Sequence, residues 1–544
     1  MPRDKDELNQ ILAYVKGDVD SIDELIGTVS IEVKDSNHPD IWSVEGIARA
    51  LRGFLGKHPS TPPRISGRSA VKVLVDKRVQ QVRPYIACAV VKGVKNSDQA
   101  LKSWIGLQDK MDQTYGRKRK KASIGFYQAD LVESPLNYTV AKPSEKSFAP
   151  LGSEEKMTLA EIVEKHPKGL EYGPIIAPFK EWPLLVDGGG KILSLPPVIN
   201  SNDLGRVTTD TKNILVEVTG TGAEVVNNTL KIVVTALSDR GGRIFSCNID
   251  YSYGSPRKVV TPDLSPSKAT LSVDYTNELL GTSLSQAEVV RLLRKASYAA
   301  TPKGKGIIEV KVPCYRLDIM HQVDLVEDVA IATNLNTIRT EWPQVWTPGG
   351  LTSQTDRLDT MAELMVGLGF QEILTYSLTS HEPLEQQMNA PPARVVDLKN
   401  PKMSTLTSLR NWLLPSLMEF LSNNTHVEYP QKIFEVGTCA IPEGEKVGKV
   451  SDLRKLSAAT IHANAGFTEI RACLDALLNA LGVDFKISPE THPSFLEGRF
   501  GEIRSGDNSI GMIGELHPRV IKAWGLNLPC AAFELEVYDH AKQF

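Results

Sequence analysis

CYRLDIMHQVDLVEDVAIA, residues 314–332, decides how the rest of the chain is read. Asp324, Glu327 and Asp328 fall at i, i+3 and i+4, so a helix starting near Asp324 places all three carboxylates on one face. Leu325, Val326, Val329 and Ala330 then cover the buried side, and Asp318 lies just ahead of the helix, close enough to fold back on it. Like charges at this spacing cost about a few tenths of a kcal/mol each, so the group calls for a cation or an arginine. Oxygen-only ligands suit Mg²⁺, which keeps several of its waters. A solvated acidic helix face has the same spacing, and the pattern alone leaves both readings open.

Working outward, PDLSPS (262–267) opens the small unit that holds this stretch. TLSVD is expected as a strand. Ser285 and Glu288 form a capping box before VVRLLRKA, because hydroxyl and carboxylate reciprocally satisfy free backbone amides. IIEVKV (307–312) predicts a further strand. Toward the N-terminus, Val44, Ile47, Ala48, Leu51 and Leu55 share one helical face over 40–56, with Gly56 as the stop. KHPSTPPRIS (57–66) marks a boundary.

VKVLV (71–75), YIACAVVKGV (85–94), ILSL (192–195), ILVEV (214–218) and IFSCNIDY (244–251) predict strands, with a helix over about 223–238. The proline-studded segment 133–183 predicts long ordered loops. Beyond 345, helix 356–368, strand ILTYSL (373–378), a helix at LLPSLMEFL, KIFEVG (432–437), LSAATI (456–461), a helix near 467–481 and AAFELEV (531–537) predict an α+β domain.

The chain has 544 residues and a formal net charge of −3, too long for one core and too balanced for a phosphate-tracking surface along its whole length. Its six cysteines show no metal spacing, which predicts reduced thiols. No apolar run approaches the roughly 18 residues of a membrane span. The expectation is a soluble, cytoplasmic protein with no membrane association.

VPCYRLDIMHQVDLVEDVAI (312–331) resembles the B5-domain signature of the phenylalanyl-tRNA synthetase β subunit. SNHPDIWSVEGIARALRGFLG (36–56) resembles the family's N-terminal helix, with His38 in place of the usual Arg. GLQDKMDQTYGRKRKKASIGFY (106–127) and LVDGGGKILSLPPVINSNDLGRVTTDTKNILVEVTGTG (185–222) resemble its B3/B4 editing domain. LKNPKMSTLTSLRNWLLPSL (398–417), YPQKIFEVG (429–437) and the FLEGRFGEI region from 495 resemble its synthetase-like core. Gln128-Ala129 replace a short acidic turn, and the GGG at 188–190 is unusually flexible beside a pocket.

The resemblance implies an α+β multidomain chain: an N-terminal α/β region (1–83), a B3/B4 editing domain (84–265), a small B5 domain (266–343) and a class II synthetase-like antiparallel core (344–544). It implies Mg²⁺ held by Asp318, Asp324, Glu327 and Asp328 and shared with an α subunit in an α₂β₂ tetramer, with tRNA(Phe) as the nucleic-acid partner. No aminoacylation residue is expected in this chain, since QKIFEVG and AAFELEVYDH lack the class arginines. Arg410 and Arg499 are read as ion-pair residues. By position, Leu185, Ser194 and Asn200 match the editing pocket. Each has a plain structural alternative: core, strand hydroxyl, and turn residue after Pro196-Pro197. The run 116–121 is either a tRNA contact or a solvated loop. The absence of an inserted barrel in the first third, and of a further domain beyond Phe544, implies the archaeal/eukaryotic type. The implied function is phenylalanine–tRNA ligation with hydrolysis of Tyr-tRNA(Phe) in β. A free-standing editing deacylase and a non-enzymatic assembly paralogue are the alternatives.

Overall fold

In the computed structural model, residues 4–25, 27–57, 61–342, 347–444 and 448–537 are described. Part of the boundary expected at 57–66, the division at 343/344 and the last three residues of AAFELEVYDH lie outside them. The chain divides into two compact units, Met1–Glu341 and Trp342–Phe544.

The first unit begins with helix Lys5–Leu12, a hairpin of Gly17–Asp23 with Thr28–Val33, and helix Val44–Phe54. Ser43 caps that second helix by accepting from the Gly46 amide at 3.1 Å. Leu12, Val15, Val19 and Ile41 close a small core beneath it.

A ten-stranded mixed sheet follows. Its order is Ile199–Asn200, Ile192–Leu195, Trp182–Val186, Leu136–Ala141, Ile65–Val75, Arg243–Tyr251, Tyr85–Lys92, Asn213–Gly220 and Ala122–Gln128, with Lys258–Thr261 paired to Arg243–Tyr251. Strand Ile65–Val75 runs parallel to both its neighbours. It lies in the middle of the sheet, so a division at residue 84 does not separate the N-terminal region from this layer. The expectation of loops over 133–183 is also corrected. That segment holds strand Leu136–Ala141 and helices Leu159–Lys165 and Pro167–Tyr172, whose prolines stand at element ends.

Both faces of the sheet's centre are buried, which is why YIACAVV is apolar without alternation. Ala87, Ala89 and Val91 pack under helices Asp98–Gln113 and Ala223–Asp239, against Trp104 and Leu230. Cys88 and Val90 pack on the other face with Tyr127, Tyr138 and Leu185.

The small unit carrying residues 314–332 is a three-stranded antiparallel sheet, Ser267–Ser272, Ile307–Val312 and Ala299–Pro302. It is covered by helices Val273–Leu280, Gln286–Lys295 and Gln322–Thr333. The Ser285–Glu288 capping box forms as expected. The acidic helix starts at Gln322, placing Asp324 in its first turn.

In the second unit, helix Ser353–Gly367 packs on a seven-stranded sheet. The order is Gln371–Glu372, Gln431–Pro442, Val450–Ile461, Cys530–Val537, Asn508–Leu516, Phe495–Ser505 and Lys486–Pro489, antiparallel except for the first pair. ILTYSL is not one strand. Pairing stops after Glu372 and resumes at Leu378–Thr379 in a separate three-stranded sheet. Between them the Thr375 hydroxyl donates to Glu435 Oε2 at 2.5 Å, and Leu374 and Tyr376 face solvent.

Helix Val44–Phe54 meets the C-terminal end of helix Gln286–Lys295 so closely that a Cβ on Gly53 would stand 2.0 Å from the Lys295 carbonyl oxygen. Gly53→Ala should therefore cost about 1–3 kcal/mol as overpacking. The check is a lower urea midpoint with an unchanged m-value.

Candidate functional site

The four acids of residues 314–332 are each engaged within the chain. Asp318 takes a fork from Arg316, whose Nε is 2.9 Å from Oδ1 and whose NH2 is 2.6 Å from Oδ2. The same NH2 donates to Asp328 Oδ2 at 2.9 Å, and the Tyr298 hydroxyl also donates to that oxygen. Asp324 Oδ2 accepts from the amides of Met320 and His321, both at 2.7 Å, satisfying donors at the helix start. Glu327 Oε1 accepts from Lys16 Nζ at 2.6 Å.

Arg316 is almost wholly buried and its own charge is held firmly. Burial works against both ions, yet the guanidinium keeps Asp318 below the usual carboxylate range. The face is thus not a solvated acidic stripe: a buried arginine and a lysine neutralise part of it.

The four acids do not converge on a point. Among the described residues, the one group of three ligand-type side chains with ligand atoms within 4.8 Å is His38, Asp40 and Asp318. His38 Nε2 stands 2.8 Å from Asp40 Oδ1 and 3.9 Å from Asp318 Oδ1. Burial alone would push the imidazole down, but Asp40 and Asp318 carry it above its ordinary value. Arg49 donates to Asp40 Oδ2 at 2.8 Å and pairs with Asp239 on the sheet-covering helix. His38, Asp40, Arg49 and Asp318 line a cavity of about 160 Å³ between helices Val44–Phe54 and Gln322–Thr333.

A second cavity, of about 220 Å³, opens on the ten-stranded sheet. Strand Ile192–Leu195 turns into Ile199–Asn200, setting Ser194 opposite Asn200. Asn200 is therefore a strand residue, not a free turn. Pro196, Val198 and Ile199 form an apolar wall, and Ser194, Asn200 and Glu217 supply polar atoms. Leu185 does not line this space. It is 0% exposed in the core beneath.

Glu217 was not singled out from the sequence, although a lone carboxylate inside ILVEV is the signal that finds it: an acid in a doubly buried strand needs a reason. Its Oε2 lies 2.9 Å from the Tyr127 hydroxyl, which is also 2.9 Å from Ser194 Oγ and 3.3 Å from Asn200 Oδ1. With one proton, Tyr127 donates to the carboxylate and accepts from Ser194. Glu217 Oε1 is buried without a hydrogen-bond partner in the protein. Burial raises the carboxyl to about 7, against the pull of Tyr127, Arg83 and Thr219. The site therefore offers a ligand one unused carboxylate oxygen in a pocket with an apolar wall on one side and Arg119, His166 and Lys168 also lining it.

In the second unit, Arg410 is buried in a 2.8 Å pair with Glu435, and Arg499, 58% exposed, lies 3.6 Å from Glu515. Among the described residues, no helix is long and apolar enough to cross a membrane.

Comparison with known proteins agrees with this architecture. Residues 269–334 match the tRNA synthetase B5 domain, and residues 338–537 match the phenylalanyl tRNA synthetase beta chain CLM domain. These matches define the chain as part of an aminoacyl-tRNA synthetase. The phenylalanine–tRNA ligase beta subunit of Pyrococcus furiosus is 42% identical over 532 residues, covering 97% of this chain and 95% of the relative. That of Methanothrix thermoacetophila is 37% identical over 501 residues, covering 92% and 91%. The crystal structure of an N-terminal fragment of the phenylalanyl-tRNA synthetase beta-subunit from Pyrococcus horikoshii superposes with a TM-score of 0.58 at 40% identity, covering 60% of this chain and 94% of that one. The chain belongs to the phenylalanine–tRNA ligase β-subunit family, and so forms part of the enzyme that joins phenylalanine to its tRNA.

Two outcomes follow from the geometry. Arg316→Met leaves two largely buried carboxylates facing each other, so it should destabilise by about 3–5 kcal/mol, measured by urea unfolding and partly relieved in acid. Glu217 has a folded value above its unfolded one. The stability it contributes is full in acid and is lost as pH rises from about 4.5 to about 7. Glu217→Gln should flatten that decline, read as the urea midpoint against pH.

Proposed function

We propose that the Glu217 cavity hydrolyses tyrosine misattached to tRNA(Phe), making this chain the proofreading member of a ligase whose synthetic step takes place on an α subunit. The carrying observation is the unpartnered, buried Glu217 Oε1 beside the apolar wall of Pro196, Val198 and Ile199. Tyrosine differs from phenylalanine by one hydroxyl. An apolar pocket rejects an added hydroxyl by only about a hundredfold, so a second site that accepts it is needed. A buried carboxylate oxygen is left unsatisfied by phenylalanine and satisfied by tyrosine, which is the discrimination required. Ser194 donates to the Tyr127 hydroxyl, which gives its one proton to Glu217 and so orients the carboxylate.

The acids of 314–332 supply the metal part of the same proposal. Their all-oxygen chemistry fits Mg²⁺. Arg316 and Lys16 already engage oxygens of Asp318, Asp328 and Glu327. Asp324 and Glu327, on the more open side of the helix, are the residues that would hold the ion first, with Asp318 and Asp328 behind them. The ion would supply positive charge where this acidic face meets the α subunit, in an α₂β₂ assembly. The paired state of Arg410 and Arg499 supports placing the synthetic step on the partner.

Glu217→Ala, assayed with the α subunit, tests the main reading. Losing a hydrogen bond to a charged group costs about 1.5–3 kcal/mol, so Tyr-tRNA(Phe) deacylation should fall roughly ten- to hundredfold while phenylalanine charging persists. Undiminished deacylation would remove the cavity from proofreading, and a parallel loss of charging would assign Glu217 to the fold alone.

A further inference from the structure

Beside the Glu217 cavity, three consecutive non-glycine residues adopt the left-handed backbone: Arg117 (φ 53°), Lys118 (φ 52°) and Arg119 (φ 63°). Each carries a steric penalty there, and the surroundings hold the turn against it. The amides of Arg117, Lys118 and Arg119 donate to the carbonyls of Thr114 at 2.9 Å, Gln113 at 3.2 Å and Asp112 at 3.0 Å. The Arg119 carbonyl accepts from the buried Arg83 guanidinium at 3.0 Å. Backbone kept in this region by so many bonds points to a task for the side chains it aims.

The turn sorts the basic run by direction. Arg119 turns inward, 2.9 Å from Asp112 Oδ2, donating to the Pro197 and Val198 carbonyls at 3.2 and 3.0 Å. It thereby braces the wall of the Glu217 cavity, and its guanidinium lies 4.1 Å from the centre of the Tyr172 ring. Lys118 and Lys120 turn outward, exposed, into a groove of about 580 Å³ that has Tyr172 in its wall. Glu171, the acid of that groove, is paired with Lys168 at 3.0 Å. Among the described residues, Lys118 and Lys120 have no carboxylate within ion-pair distance. The Arg119–Tyr172 stack thus stands between an ester-sized cavity with an open carboxylate and a groove with two uncommitted ammonium groups.

We propose that Lys118 and Lys120 grip backbone phosphates of the 3′ strand of aminoacyl-tRNA as its terminal ester enters the Glu217 cavity. This rests on the proofreading reading above. A single strand carrying an ester presents phosphates next to the reacting end, and lysine meets a phosphate as a point charge without demanding fixed geometry. A rigid turn holds those charges at the entrance without ordering a flexible loop on binding. The net charge of −3 fits such a local device better than a broad basic surface.

The test uses the complex with the α subunit and tRNA(Phe) mischarged with tyrosine. Lys118→Gln/Lys120→Gln should raise the KM for deacylation about fivefold at low salt and leave kcat near wild type. It should also lower the slope of log KM against log salt by roughly 1.4, about 0.7 per single-strand phosphate contact. Hydrolysis of 3′-O-tyrosyl-adenosine, which lacks the upstream phosphates, and phenylalanine charging should both be unchanged. Lys118→Arg/Lys120→Arg should restore the KM. An unchanged KM and salt slope in an actively deacylating complex overturns the lysine assignment and leaves the editing site standing. Equal loss on tyrosyl-adenosine overturns it in favour of a pocket-shaping role. A wild-type complex that deacylates neither substrate overturns the editing reading, and this proposal with it.

Discussion

A line of alternating charges, buried except at its Asp239 end, runs through the first unit: Asp239, Arg49, Asp40, His38, Asp318, Arg316, Asp328. It starts on the helix covering the ten-stranded sheet, crosses the N-terminal helix and ends on the acidic helix. Removing one partner from a buried pair strands the other at a cost of about 3–5 kcal/mol. These three parts of the chain are therefore tied by polar groups that tolerate little displacement. Apolar packing supplies the bulk of the attraction but has no direction. The ions add register. His38 sits at the middle of the line, where the family resemblance leads one to expect arginine. A shorter, titratable group fits there because Arg49 and Arg316 already serve the two aspartates it touches. Arg49 also lies 4.2 Å from the Tyr315 ring centre, fixing the segment just ahead of Arg316.

Against that closed network, the cluster around Glu217 is left open. Tyr127 and Ser194 satisfy one side of it, and one carboxylate oxygen has no hydrogen-bond partner in the protein. Arg83 spends its donors on Thr219, Ser123 and the Arg119 carbonyl, close enough to favour the charge without quenching it. A partly satisfied buried network is unfavourable for folding. Its persistence beside a cavity in a well-packed sheet is what supports reading Glu217 as a site residue.

Local signals were legible before any coordinates. The Ser285–Glu288 capping box and the acid spacing of 318–328 depend on residues within one or two turns of each other and form as expected. The apolar face expected on Val44–Phe54 is corrected: Ile47 and Leu51 pack on the core, Val44, Ala48 and Leu55 are exposed, and Glu45, Gly46, Arg49 and Gly53 are the buried residues. What escaped was long-range. Strand Ile65–Val75 joins the sheet through parallel partners at 136–141 and 243–251, a pairing that composition cannot announce. Leu185 pairs with Ser194 across the sheet, yet it is fully buried beneath the cavity among Tyr127 and Tyr138. Arg316 sits in the quoted motif, but its bridging role emerges only when Asp318 and Asp328 fold onto it. Glu217 was visible as an oddity within ILVEV. That it opens into a cavity depends on Tyr127 and Ser194 arriving from other strands.

In the second unit two buried cations of the sheet, Arg410 and Lys455, are closed in the same way. Arg410 meets Glu435, donates to Thr375 Oγ1 at 2.7 Å and bonds the Thr438 carbonyl at 3.0 Å. Lys455, 7% exposed, meets Glu534 at 3.1 Å. Burial would lower the ammonium, and Glu534 with its neighbours raises it well above the ordinary lysine value. Glu534 in turn accepts from the amides of Leu413 and Leu414 at 2.8 and 2.9 Å. A nucleotide triphosphate needs cations free to reach it, whereas these are committed to carboxylates a strand away. The same residue types that mark a working site when left unpaired act here as internal fasteners of the sheet. Glu217 contrasts with Arg410 and Lys455 in keeping one buried carboxylate oxygen without a hydrogen-bond partner in the protein.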